Sequence, residues 1–131
     1  LGDAAVIGQI SAALLPWNVG TIPMWAALAA LEDVEGLKMR VEFNNSEVEY
    51  IESSLSVIPG FTVFHSASNY ILFDGTGTGK AGDDLVDFAQ KKGIILRPQS
   101  QMYGFDGWFR LTLGSKEENR MAVEAILEFY A

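Results

Sequence analysis

Two arginines sit inside apolar runs where a cation is out of place, and their type and spacing are what could do chemistry. Gly93-Ile94-Ile95-Leu96-Arg97 is a short apolar run that ends in a cation and is stopped by Pro98. Trp108-Phe109-Arg110-Leu111-Thr112-Leu113 is β-branched and aromatic apart from one cation in its middle. A guanidinium in such a run is desolvated unless it is paired, and its planar fork of donors suits a carboxylate or a phosphate. Arg97 and Arg110 are therefore candidate halves of an anion clamp. Composition alone favours the plainer reading, with Arg110 on the wet face of a half-covered sheet and Arg97 snorkelling at a strand end.

Other residue types bound the chemistry. The 131 residues hold no cysteine, which excludes a disulfide framework, a thiolate metal site and a cysteine nucleophile; with no signal peptide, a cytoplasmic location is expected. A net charge of −8 argues against nucleic acid or an anionic membrane as partner, because phosphate contacts need a basic face. The only histidine, His65, has no Ser, Cys or Asp near it in triad order and is expected at a strand end with a local hydrogen bond. Gly77, Gly79 and Gly82 satisfy G-x-G-x-x-G, but the loop is too long for a dinucleotide turn. No acid ends the next strand, and Asp83 and Asp84 would stand beside the pyrophosphate. A flexible loop with two acids at a helix N-terminus accounts for the same residues.

The elements that must position the arginines follow from periodicity. From Ala4 to Leu31 there is no charged residue, yet Pro16, Asn18, Gly20 and Pro23 divide the run into pieces too short to span a membrane. Two buried helices are predicted, Asp3 to Leu15 and Thr21 to Leu31, with Thr21 as N-cap and a kinked joint from Pro16 to Gly20. They need a cover that a domain of this size does not supply, so a larger domain or a partner subunit is expected, and the start at Leu1 reads as a piece of something longer.

Apolar residues at Val34, Leu37, Val41, Val48, Ile51, Leu55 and Ile58 form a seam in steps of three and four with Asn44 in a vacant slot. This predicts a long helix packed on a sheet, its acids Glu42, Glu47, Glu49 and Glu52 on a solvated outer face, ended by Pro59-Gly60. Strands are predicted at Phe61 to His65, Tyr70 to Phe73, Gly93 to Arg97 and Trp108 to Leu113, and a helix at Asp83 to Lys92 with Leu85, Phe88 and Ala89 buried. Ser115-Lys116-Glu117-Glu118 is a capping box worth about 1 kcal/mol, opening a last helix to Ala131 whose apolar face is Met121, Ala122, Ala125, Ile126, Phe129 and Tyr130. The fold class is α+β, with about four mostly antiparallel strands covered by helices on one side.

Gly-Ile-Ile-Leu-Arg followed, thirteen residues on, by Arg110 in Phe-Arg-Leu-Thr-Leu-Gly and then by Ser-Lys-Glu-Glu-Asn resembles the C-terminal part of fold-type I pyridoxal-phosphate aminotransferases, closest to histidinol-phosphate aminotransferase, with threonine-phosphate decarboxylase a near relative. The Pro-Trp-Asn-Val joint before an alanine-rich helix ending Leu31-Glu32-Asp33 is similar to the same family. The resemblance implies connecting helices over 1–33 and an aminotransferase-like small C-terminal domain over 34–131. It implies that Arg110 grips the substrate α-carboxylate and Arg97 the distal anionic group, with Tyr103 a pocket candidate in the loop Gln99 to Gly107. It also implies a homodimer acting on a small amino acid or amino phosphate by ping-pong amino transfer. The cofactor would be pyridoxal phosphate in the intact enzyme. The Schiff-base lysine of the family has no match here, since Lys38, Lys80, Lys91, Lys92 and Lys116 lack its Ser-x-Ser-Lys context; this stretch by itself is expected to be inactive and not to bind the cofactor. A freestanding module that binds small acids is the rival class.

Overall fold

The structure is a computed structural model that describes residues 2–14, 19–80 and 82–131. It divides into two compact units, Leu1–Lys38 and Met39–Ala131. In the first, helix α1 (Ala4–Ala13) is capped by Asp3, whose carboxylate accepts from the backbone N–H of Ala5 at 2.9 Å and of Val6 at 3.3 Å. Helix α2 (Thr21–Glu32) starts one residue earlier than a Thr21 cap would allow: Gly20 is the N-cap, no side chain caps the helix, and Pro23 lies in the first turn. Neither helix has a buried residue within this chain; the cover expected from a larger domain or a partner subunit is not tested by it. Val6, Ile10, Trp25, Leu28 and Leu31 are all exposed. No described helix is long and apolar enough to cross a membrane. Most of the expected Pro16–Gly20 joint lies outside the described residues.

Helix α3 (Val34–Leu55) gives its first residues to the first unit and the rest to the second. Only the second half of its apolar seam is used: Val48, Ile51 and Leu55, with Ile58 beyond the helix end, are buried, whereas Val34, Leu37 and Val41 are exposed. The solvated acidic face needs correcting at two positions. Glu47 is only 5% exposed and accepts from the Asn119 Nδ2 at 2.8 Å. Glu52, partly buried, accepts from the Ser66 backbone N–H at 3.0 Å and meets His65 Nδ1 at 3.1 Å. A buried carboxylate needs such partners, and the spacing rule that put these acids outside does not see residues distant in sequence.

The second unit holds a four-stranded sheet in the order β1-β2-β4-β3, with all three pairings antiparallel. The strands are β1 (Thr62–Phe64), β2 (Tyr70–Asp74), β3 (Arg97–Gln99) and β4 (Phe105–Thr112). One face is covered: Ile71 and Phe73 of β2 and Phe109 and Leu111 of β4 pack with Ile51 and Leu55 of α3, with Leu85 and Ala89 of helix α4 (Gly82–Lys91), and with Ala122, Val123 and Ile126 of helix α6 (Lys116–Tyr130). Each large aliphatic or aromatic side chain buried this way contributes about 1.5–3 kcal/mol. Ser115 and Glu118 form the expected reciprocal capping box at the start of α6, but Met121, expected on its apolar face, is 53% exposed.

The third strand differs from expectation. Residues 94–96 form no strand, and β3 begins at Arg97 and runs through Pro98, where the apolar run was expected to stop. Pro98 is tolerated because β3 is an edge strand that needs no donor on its outer side. The polar loop is also more regular than expected, with a short helix α5 (Ser100–Tyr103) and β4 starting at Phe105 rather than Trp108.

Candidate functional site

The uncovered face of the sheet positions the two arginines. Arg97 and Arg110 are directly opposed across β3 and β4, and Leu72 of β2 stands on the other side of Arg110. Cross-strand partners share a face with Cβ atoms roughly 5 Å apart, and like charges in that relation repel. Alternation in β4 sends Phe109 and Leu111 into the core and Arg110 the other way.

These residues meet in one groove of about 490 Å³, lined by Tyr70, Leu72, Arg97, Gln99, Met102, Tyr103, Phe105 and Arg110. All three residues singled out in the sequence, Arg97, Arg110 and Tyr103, line it. Their burial is less than the apolar runs suggested: Arg97 and Tyr103 are exposed and Arg110 is half-buried. Arg110 Cζ lies 5.0 Å from the centroid of the Tyr70 ring, a cation–π contact that holds the guanidinium in place. Its Nε is sealed from solvent with no hydrogen-bond partner. Among the described residues neither arginine has an acidic partner, and the groove lining contains no acid. Two cations, an orphaned donor and apolar walls favour a small anion.

Tyr70, Leu72, Met102 and Phe105 were not singled out in the sequence. Tyr70 and Leu72 were detectable in principle, because alternation along β2 puts them opposite Ile71 and Phe73. Gln99 opens the loop expected to contribute to the pocket, but its place in β3 was concealed by the reading of Pro98 as a stop. His65 lies just beyond β1, as expected, but its partner is Glu52 of α3 rather than a local group, and its side chain is 83% exposed. The glycine loop has a packing explanation: a Cβ at Gly77 would lie 2.4 Å from the Gly60 carbonyl oxygen, and one at Gly75 would lie 2.6 Å from the Tyr130 hydroxyl. That hydroxyl is sealed from solvent beside Thr78, and burial pushes the phenol pKa up.

The comparisons with known proteins bear on this geometry. The model of the family "aminotransferase class I and II" matches residues 1–126. The chain belongs to the class I and II aminotransferases. It is 33% identical over 129 residues to a histidinol-phosphate aminotransferase of Methanothermobacter thermautotrophicus, covering 98% of this chain and 35% of that one. The chain thus spans about a third of the length of the curated relatives it matches. In fold it is similar to the histidinol-phosphate aminotransferase of Clostridium acetobutylicum, with TM-score 0.86, 21% identity, and coverage of 98% of this chain and 38% of that chain. It is also similar to the L-threonine-O-3-phosphate decarboxylase of Porphyromonas gingivalis, with TM-score 0.76, 16% identity, and coverage of 98% and 40%. The α+β architecture is that of the C-terminal part of fold-type I aminotransferases.

The class I and II aminotransferases use pyridoxal phosphate. The residues described here do not fit its covalent attachment, because the groove lining contains no lysine. Lys80 Nζ instead donates to the Phe129 carbonyl at 2.5 Å, and Lys92 Nζ pairs with Glu128 at 2.7 Å. What the groove presents is two guanidiniums and no acid.

Proposed function

We propose that this stretch forms the anion-recognising wall of the active site of an aminotransferase similar to histidinol-phosphate aminotransferase. Arg110 takes the α-carboxylate of an amino-acid or amino-phosphate substrate, and Arg97 takes its distal anionic group. The observation that carries the reading is the opposed pair itself: two guanidiniums in one groove whose lining holds no acid repel until an anion lies between or beside them. Tyr103 and Phe105, whose rings lie 6.5 Å apart, wall the groove beside them.

The cofactor of the family supplies the amino-transfer chemistry when bound; the lysine that holds it comes from outside these residues, which are inactive by themselves. In this reading residues 1–33 connect the recognition domain, residues 34–131, to the remainder of the protein. The exposed apolar side chains of α1 and α2 then pack on that remainder or on the partner subunit of a cytoplasmic homodimer.

In the intact enzyme, Arg110→Ala is expected to lower kcat/KM by about two to four orders of magnitude, because it removes a charge-assisted, bidentate contact. Arg97→Ala is expected to reduce kcat/KM far more for a phosphorylated substrate than for a short unphosphorylated one. Steady-state kinetics on both substrates decide it. An unchanged kcat/KM in Arg110→Ala sinks the assignment, and equal losses on the two substrates remove the distal role of Arg97.

A further inference from the structure

Gln99 occupies an unusual place in the groove. The pairing of β3 with β4 slips between Pro98 and Gln99, so that Gln99 stands opposite Phe105 while Pro98 stands opposite Phe109. Such an irregularity re-aims a side chain. The result is a polar side chain only 7% exposed that lines the same groove as both arginines.

The orientation of its amide is fixed by one contact. Gln99 Nε2 donates to the backbone carbonyl of Arg97 at 2.8 Å. Turning the amide over would set Oε1 against that carbonyl oxygen, acceptor against acceptor, so Oε1 is held on the opposite side. No described residue donates to Oε1, and it is not among the buried side-chain atoms that are sealed without a partner. An oriented acceptor in a nearly buried residue that lines the groove is therefore left without a protein donor. Of its neighbours there, guanidiniums only donate, Leu72, Met102 and Phe105 present hydrocarbon or a thioether, and only the Tyr70 and Tyr103 hydroxyls could also accept.

We infer that Gln99 is a specificity-determining residue of this groove, its Oε1 accepting a hydrogen bond from an O–H or N–H of the ligand close to the anionic group at Arg97. The inference rests on the anion reading above and narrows it. The groove selects dianions that carry a donor beside the distal anion, such as a hydroxyl or an azole N–H, over those with a plain methylene chain. Leaving a buried polar group unpaired is what makes a site reject the analogue that lacks the donor.

The test is calorimetric titration of the intact protein with two matched probes, 4-phosphonobutanoate and 3-hydroxy-4-phosphonobutanoate. They share both anionic ends and differ by one hydroxyl next to the phosphonate-bearing carbon. The wild type is expected to prefer the hydroxylated probe by about tenfold. Gln99→Leu is expected to bring the ratio close to one without weakening the binding of 4-phosphonobutanoate. Gln99→Met gives the same reading should the leucine variant fail to fold, which circular dichroism reports. Equal affinity of the wild type for both probes, with both lost in Arg110→Ala, overturns the role of Gln99 and leaves the anion reading standing. A parallel loss of both probes in Gln99→Leu means that the residue only props the Arg97 backbone, which also overturns the inference. Binding of neither probe by the wild type removes the anion reading, and this inference with it.

Discussion

The two faces of the sheet obey different rules although they alternate residue by residue along the same strands. On the covered face Ile71, Phe73, Phe109 and Leu111 are buried, and the Phe73 and Phe109 rings lie 5.6 Å apart. On the open face Phe64 stacks on Trp108 at 4.8 Å, Tyr70 lies against Arg110, and Arg110 opposes Arg97. Nothing about folding asks for the second arrangement. Cations set opposite one another on an aromatic surface add little to stability, whereas they suit the anion recognition proposed above. The covered face makes the fold, and the proposed function is assigned to the open face.

Adjacent residues in β4 give the sharpest way to break that contrast. Phe109→Ala empties the centre of the covered face and is expected to cost about 3–5 kcal/mol of stability. Arg110→Ala, one residue on, removes a cation–π contact of about 1 kcal/mol but also relieves the repulsion with Arg97, so its net cost is expected to stay below about 1 kcal/mol. Urea unfolding of the two variants measures both. Comparable losses would mean that the open face is structural too, and the division proposed here would fail.

A second pair of polar groups sharpens the comparison. Arg110 Nε is sealed with no partner, whereas Asn119, 2% exposed, is fully occupied. Asn119 Nδ2 donates to Glu47 Oε2 at 2.8 Å and to the Gly114 carbonyl at 3.2 Å, and its Oδ1 accepts from the Gly114 N–H at 2.8 Å. It therefore ties α3 and the segment leaving β4 to the first turn of α6. Asn119→Ala strands a buried carboxylate and two backbone groups, and a loss of about 2–3 kcal/mol is expected in the same unfolding experiment. A loss below about 0.5 kcal/mol, the range of ordinary surface substitutions, would show that water replaces the amide and that this network is not part of the fold's support.

These two polar sites also show what the sequence makes legible. Period-two and period-3.6 patterns located Ile51, Leu55, Leu85, Phe109 and Ile126, because apolar burial repeats with the geometry of the element. The arginines stood out for the opposite reason, since they interrupt such a pattern. Asn119 and Glu47 could not be found this way: they are far apart in the chain, and each looks like an ordinary polar residue on the outer face of a helix until the fold brings them together. Gln99 was concealed by local chemistry. Proline usually ends a strand, but an edge position removes the penalty, and the slip in pairing that follows it is set by β4 rather than by any residue nearby. The exposed first half of the α3 seam is the converse case, in which an apolar stripe is legible but its cover is not among these residues.

The smallest expected effect lies at the edge of the covered face, where α6 begins just past β4. Glu118 is held below the ordinary carboxylate value of 4.5, first by the backbone N–H of Ser115, which donates to its Oε2 at 2.7 Å, and then by the Ser115 hydroxyl. A folded-state pKa below the unfolded one means that the unfolded chain binds a proton first as pH falls. The contribution of Glu118 is therefore complete above about pH 4.5 and declines as the pH drops through its folded-state value. Glu118→Gln keeps an acceptor for the Ser115 N–H but cannot titrate. Urea midpoints of wild type and variant, compared between neutral pH and the acid side of that value, are expected to differ at neutral pH and to converge in acid. A gap that stays constant across that range would show that the cap acts through shape alone. The carboxylate's charge would then contribute nothing to holding α6 against the sheet that carries Arg110.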